Sequence, residues 1–225
     1  MRRFAFFLAF LAALAVVGSY ALELAAPSLA AGALRSAGLE AQELAVEVDA
    51  APPLWLLVGR VDRLRINASR FTDRSFSGRS LVAEMAPVDL LDLSRTAISG
   101  QVTGAVLGPL PLGQVTLSGH LPEVAVAATI PAPEVRALVA TAAGVAASQI
   151  GLAAPDGLVL AVAGHTVRGT LRVSPDGRAL LVANPSLAAP LTVVQLAADD
   201  PVRLVGVTVG AGGLELRGTL RLAWP

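Results

Sequence analysis

Apolar and polar residues alternate along most of this chain, and the alternation predicts its elements. Leu44, Val46 and Val48 are interleaved with Glu43, Glu47 and Asp49, the period of two expected of a strand with one buried face. Leu64, Ile66 and Ala68 repeat the pattern against Arg63, Arg65 and Asn67, and 78–85 is a further candidate strand. Ile98 and Val102 oppose Ser99, Gln101 and Thr103. After a Gly/Pro-rich stretch at 108–113, read as a loop, Val115, Leu117 and Leu121 alternate with Gln114, Thr116, Ser118 and His120. Val124, Val126, Ala128 and Ile130 carry the pattern on. In the last third, 158–163 is continuously apolar, while Val167, Leu171 and Val173 alternate with Arg168, Thr170 and Arg172. Ser174 to Gly177 spells a turn, because Pro175 fixes φ and Gly177 supplies a positive one. Val202–Val209 and Leu214–Leu222 flank a glycine-rich hairpin signal at 210–213.

Helical periodicity is scarcer. The segment 27–38 reads as a short helix between Pro27 and Gly38. Pro133 opens a second, in which Val135, Leu138, Val139 and Ala142 form one apolar stripe that Gly144 ends. Asp89–Arg95 suits a single helical turn. The sum is roughly nine or ten strands with two or three short helices and no βα alternation. The expected class is α+β: a large antiparallel sheet with one apolar face, curved over a helix or closed towards a barrel.

The N-terminus departs from this texture. Arg2 and Arg3 precede the uncharged run Phe4–Leu22, and Glu23 follows it. Basic residues ahead of such a run direct the rest of the chain outward across a membrane. The length suits a spanning anchor, while Ser19, Tyr20 and Ala21 form an acceptable cleavage site for a signal peptide. Residues 1–26 are therefore read as an export signal or membrane anchor, and 27–225 as a single domain. The expected location is the periplasm or cell envelope, anchored or released.

Composition narrows the chemistry. Seventeen basic and seventeen acidic residues cancel, which argues against nucleic acid as a partner. Every basic residue is Arg, and there is no Cys, so neither thiol chemistry nor a disulfide framework is available. A chain that is 54% hydrophobic yet only 4% aromatic must bury much aliphatic surface, in its own core or around a ligand. Of the two histidines, His120 lies on the polar phase of its strand and His165 at the start of another. Nucleophile elbows, paired-His motifs and lysine-bearing phosphate loops are absent from the sequence. Asp89 with Asp92, and Asp199 with Asp200, suit turn and cap duty. The reading is non-enzymatic, with no cofactor or metal site.

The segment 52–79 differs from its surroundings. An apolar cluster, Leu54, Trp55, Leu56, Leu57 and Val58, leads into six arginines (60, 63, 65, 70, 74 and 79) opposed by only Asp62 and Asp73. Acyl chains need a dry aliphatic surface and a phosphate needs a fork of N–H donors, so this pairing suits a phospholipid. By pattern alone a core-packing turn followed by a solvated strand face is the commoner use of such a segment.

The stretches PPLWLLVGRVDRLRINASRF (52–71), VAVAATIPAPEVRALVA (124–140) and VRLVGVTVGAGGLELRGTL (202–220), behind an N-terminal export segment, resemble the LmeA family of phospholipid-binding envelope proteins. Pro53, Gly59 and Arg60 are the positions that align best, while Trp55 and the 104–113 region depart from the family's texture. The resemblance implies a fold similar to tubular lipid-binding domains, with a long curved sheet wrapped around helix and an apolar groove between. It also implies binding of anionic phospholipid at a membrane surface, without catalysis. On that reading Val135, Leu138 and Val139 line the groove and Leu54, Trp55, Leu56 and Leu57 sit at its mouth or dip into a bilayer. Arg60, Arg63 and Arg65 meet headgroups. The alternative is an envelope scaffold whose interior is filled by its own side chains.

Overall fold

A computed structural model describes residues 25–36, 38–73, 76–89, 92–162, 165–184, 189–198 and 200–221. The apolar run 4–22 lies outside them. Among the described residues no helix is long and apolar enough to cross a membrane.

Eight strands form one antiparallel sheet: β1 (Glu40–Asp49), β3 (Arg63–Asp73), β4 (Phe76–Ala86), β6 (Ala97–Leu107), β7 (Leu110–His120), β8 (Glu123–Pro131), β15 (Gly213–Arg221) and β14 (Val202–Gly210), in that spatial order. It is curved and open, with β1 and β14 as its edges. After β8 the chain leaves through helix α2 (Ala132–Ala143) and builds a second sheet before returning. That five-stranded sheet contains β9 (Ile150–Ala153), β10 (Gly157–Val162), β11 (His165–Val173), β12 (Ala179–Ala183) and β13 (Leu191–Gln195). A two-residue pairing joins β2 (Arg60–Val61) to β5 (Val88–Asp89). Helix α1 spans residues 25–36.

The register explains the sheet's amphipathic character. Leu44, Ala68, Leu81 and Val102 stand side by side on β1, β3, β4 and β6, and Val115, Ala128, Leu216 and Val207 continue the row to β14. Two residues along, a parallel row runs from Val46 and Ile66 to Gly218 and Leu204. A third runs from Val48 and Leu64 through Met85, Ile98 and Val124 to Leu220 and Val202. Every position in these three rows is apolar or glycine. The intervening rows carry Asn67, Gln101 and Thr116, or Glu47, Arg65 and Glu84, on the opposite face. Because side chains alternate strictly between faces, a single-residue slip would turn all three rows outward, so burial of one face fixes the register.

The alternation slips once, and it does so at the same level on neighbouring strands. Beyond the Ala68–Leu81–Val102–Val115 row the buried phase moves by one residue, to Phe71, Ala105 and Leu112. Pairing registers are unchanged on either side of Arg70, Arg79, Gly104 and Gly113, so each strand contributes one residue to the slip. Arg70 (φ 44°) and Gly104 (φ 56°) take left-handed backbone there. Past this line the sheet is capped by α2 and the second sheet. Phe71, Leu107, Leu110, Ile130, Leu158, Leu171, Leu180 and Leu214 form one buried core with Val135 and Val139 of α2. A fully buried Val or Leu of this kind contributes about 1.5–3 kcal/mol relative to exposure.

The two sheets are pinned at the 174–177 turn. Gly177 N–H donates to Ser174 O at 2.9 Å, and Leu204 N–H of β14 donates to Gly177 O at 2.8 Å. Gly177 has φ 70°, and a Cβ there would stand 2.7 Å from Leu204 O, so the position requires glycine. Arg178 Nη1 donates to the carbonyls of Ala197 (3.0 Å) and Asp200 (2.6 Å), tying the second sheet to the start of β14.

Several sequence expectations change. The 108–113 loop shrinks to a tight turn at Gly108 and Pro109, with β7 already begun at Leu110. The helical turn expected over Asp89–Arg95 is confined to a 3-10 turn at Leu93–Arg95, since Val88 and Asp89 pair with β2. The strands divide between two main sheets because the chain crosses over through α2.

Candidate functional site

The aliphatic rows are covered unevenly. At one end the large core closes them. At the other, Ile98, Leu121 and Val124 form a second, smaller buried cluster with Met85, Leu93 and Leu220 packed on it. Between the two lies the centre of the middle row: Gly100 of β6, Leu117 of β7, Val126 of β8 and Gly218 of β15, register partners in sequence. All four are partly exposed, and Leu117 packs against both clusters. Two of the four carry no side chain. A Cβ on Gly218 would meet Arg203 O at 2.6 Å, so close strand approach requires glycine there, and one on Gly100 would stand a tight 3.0 Å from Val82 O. The result is a band of low relief set among the aliphatic side chains of its own and the flanking rows. Leu64, Val48 and Met85 extend it towards β1, also partly exposed.

The apolar cluster of the sequence forms a 3-10 turn at Pro53–Val58, beside the Val48–Leu64 end of the sheet. Pro53 starts it, and Gly59 (φ 74°) ends it with its N–H donated to Leu56 O at 3.2 Å. Its base is closed by Asp62 N–H donating to Asp49 O (2.8 Å) and Ala51 N–H donating to Asp62 Oδ2 (2.7 Å). Trp55 is 38% exposed, Leu57 52% and Val58 56%, while Leu56 is half-buried. The Leu54 side chain lies outside what is described. Arg60 spreads its guanidinium over the Trp55 indole, 5.2 Å from the ring centroid.

The arginines do not join the aliphatic band. Arg63 and Arg65 project from the polar face of β3, opposite in phase to Leu64 and Ile66. Glu84 bridges them, with Oε1 3.1 Å from Arg63 Nε and Oε2 3.1 Å from Arg65 Nε. Glu47 lies 3.7 Å from Arg65, and Asp89 accepts from Arg60 Nε at 3.2 Å. The hydrogen bond from Arg65 to Glu84, reinforced by that carboxylate's charge, raises the guanidinium's already high pKa.

The helical stripe divides. Val135 and Val139 are 1% and 0% exposed within the large core, and Leu138 alone of the three retains surface, packed at the core's margin. Sequence reasoning placed Leu117, Val126 and Leu64 on apolar strand phases without marking them as a site. Their partial exposure depends on cross-strand register and on which stretch the second sheet leaves uncovered, and neither has a local signal.

Among the described residues, no three His, Asp or Glu side chains gather as a metal site would require. His120 and His165 are exposed at strand ends. No curated protein and no solved structure matches the chain. A family model described as LmeA-like phospholipid-binding matches residues 17–219, nearly the whole of both sheets. With its open, aliphatic-walled sheet, the chain belongs to the LmeA-like phospholipid-binding family.

Proposed function

We propose that this protein binds phospholipid non-catalytically in the cell envelope, holding acyl chains against the inner face of its long sheet. The observation that carries the reading is the run of three apolar rows across eight strands, left partly exposed at Gly100, Leu117, Val126 and Gly218. Acyl chains gain by leaving water for such a wall, and the wall makes no polar demand on them. Export, with residues 1–26 as anchor or cleaved signal, follows from the basic start and apolar run of the sequence.

An anionic headgroup met by Arg60, Arg63 and Arg65 is the part of the reading that the geometry supports least. Each of these guanidiniums is already engaged by a carboxylate, and two of them stand on the face away from the band. Phospholipid is thus recognised chiefly through its chains. The scaffold alternative draws support from the sealed half of the molecule, where Val135 and Val139 have no free surface.

Native mass spectrometry of the chain from Pro27 onward, purified without detergent and followed by lipid extraction, separates the two. Near-stoichiometric phospholipid establishes the binding reading and identifies the headgroup. An empty, fully folded protein overturns it in favour of the scaffold.

A further inference from the structure

The Pro53–Val58 turn carries the most concentrated exposed apolar surface among the described residues, with Trp55, Leu57 and Val58 all in the open on six residues of chain. It is held firmly, by the left-handed Gly59 at its end and the hydrogen bonds through Asp62 at its base. A well-held turn presenting three bulky apolar side chains is built for a surface that accepts them.

Charge decides which surface. Along the sequence, 52–79 is strongly basic, but the three arginines nearest the turn, Arg60, Arg63 and Arg65, are met in space by acids from outside the segment: Glu47 on β1, Glu84 on β4 and Asp89 on β5. Around the turn, Arg60, Arg63 and Arg65 stand among Glu47, Asp49, Asp62, Glu84 and Asp89, so no cationic surplus remains. An acidic partner has nothing to pair with there. A bilayer's interfacial zone needs no pairing: it takes up Leu and Val by apolar burial and favours an amphipathic indole, here with Arg60 stacked on its face.

We infer that the Pro53–Val58 turn is a membrane-docking element. It inserts Trp55, Leu57 and Val58 into the interfacial zone of a phospholipid bilayer by apolar burial, with no requirement for anionic lipid. The turn stands at the Val48–Leu64 end of the aliphatic rows. Insertion therefore brings the open part of that face to the bilayer, so that an acyl chain passing between them avoids water. This last step rests on the phospholipid reading above; the docking does not.

The test uses the full chain in vesicles. The sequence holds two tryptophans, so Trp224→Phe leaves Trp55 as the sole reporter. In neutral phosphatidylcholine vesicles whose acyl chains carry bromine near the headgroup, Trp55 emission should shift to the blue and be quenched. The quenching should be equal when anionic lipid is added, and unchanged at high salt. Leu57→Glu with Val58→Glu should abolish it, and both side chains are exposed enough to be replaced without opening the core. Leu117→Phe, which blocks the aliphatic band, should leave it intact. Absence of quenching, or quenching only with anionic lipid, overturns the inference. Loss of quenching in Leu117→Phe also overturns it, since Trp55 would then be reporting lipid in the band. A protein that docks in this way yet retains no extracted lipid would refute the binding reading alone.

Discussion

Phe71 lies across Gly78, its register partner on the next strand, so closely that a Cβ on Gly78 would stand 2.7 Å from Phe71 Cε1. Val102 Cγ1 would be 2.9 Å from the same atom, and Phe76 packs on the Phe71 ring at 5.7 Å between centroids. Phe71 is 2% exposed, so its ring has nowhere to retreat. Gly78→Ala should destabilise the fold by about 1–3 kcal/mol, the usual range for overpacking. Urea denaturation measures it. In Phe71→Leu the same glycine substitution should cost less, because the two nearest atoms belong to the ring and only the Val102 contact is left; equal cost in both backgrounds would refute the ring as the main origin.

Thr96 offers a change in the other direction. Its side chain is 0% exposed, beside the smaller buried cluster, and its Oγ1 has no hydrogen-bond partner among the described residues. Thr96→Val keeps the shape and removes an unsatisfied group. The expected result is a gain of about 1 kcal/mol in unfolding free energy. A loss of similar size would mean the hydroxyl has a partner, such as a bound water.

Acid should loosen the turn that pins the two sheets. The Ser174 hydroxyl, followed by the Arg178 backbone N–H, donates to Asp176 and lowers its pKa from the ordinary 3.8. A group with a lowered folded pKa stabilises the fold above its unfolded value, and that contribution fades as pH falls through the folded one. Asp176→Asn should therefore flatten the fall in stability between about pH 5 and pH 2, leaving the two proteins closest at the acid end. Equal slopes for both proteins in pH-dependent denaturation would show that this carboxylate carries no linkage.

Blocking the aliphatic band is the direct test of lipid retention. Leu117 is partly exposed between the two buried clusters, so Leu117→Phe adds bulk where space remains rather than within a closed core. Copurifying phospholipid should fall several-fold while the denaturation midpoint moves little. Unchanged lipid content would place the acyl chains elsewhere.

Most strands were legible in the sequence because one face of each is buried, which writes a period of two into residues such as Leu44, Val46 and Val48. The helix at 132–143 and the turn at 174–177 were legible for similar local reasons, in Pro133, Gly144 and Gly177. The slip at Arg70, Arg79, Gly104 and Gly113 was not, since an arginine or glycine out of phase looks like any polar or small residue. Nor was the pairing of Arg63 and Arg65 with Glu84, because the acid sits nineteen residues from Arg65. A charge count along the chain summed a cationic strip whose first three arginines, Arg60, Arg63 and Arg65, the folded sheet neutralises.

An aliphatic wall without a hydrogen-bonding group has a limited vocabulary. Where the row from Val46 to Leu204 is left open, at Gly100, Leu117, Val126 and Gly218, it would sort molecules by girth and pliancy, with no polar side chain of its own to tell an ester from an ether or one headgroup from another. Selectivity on such a surface is steric, and a narrow ligand preference would have to be written at the rim, in whatever the chain is made to pass on its way in.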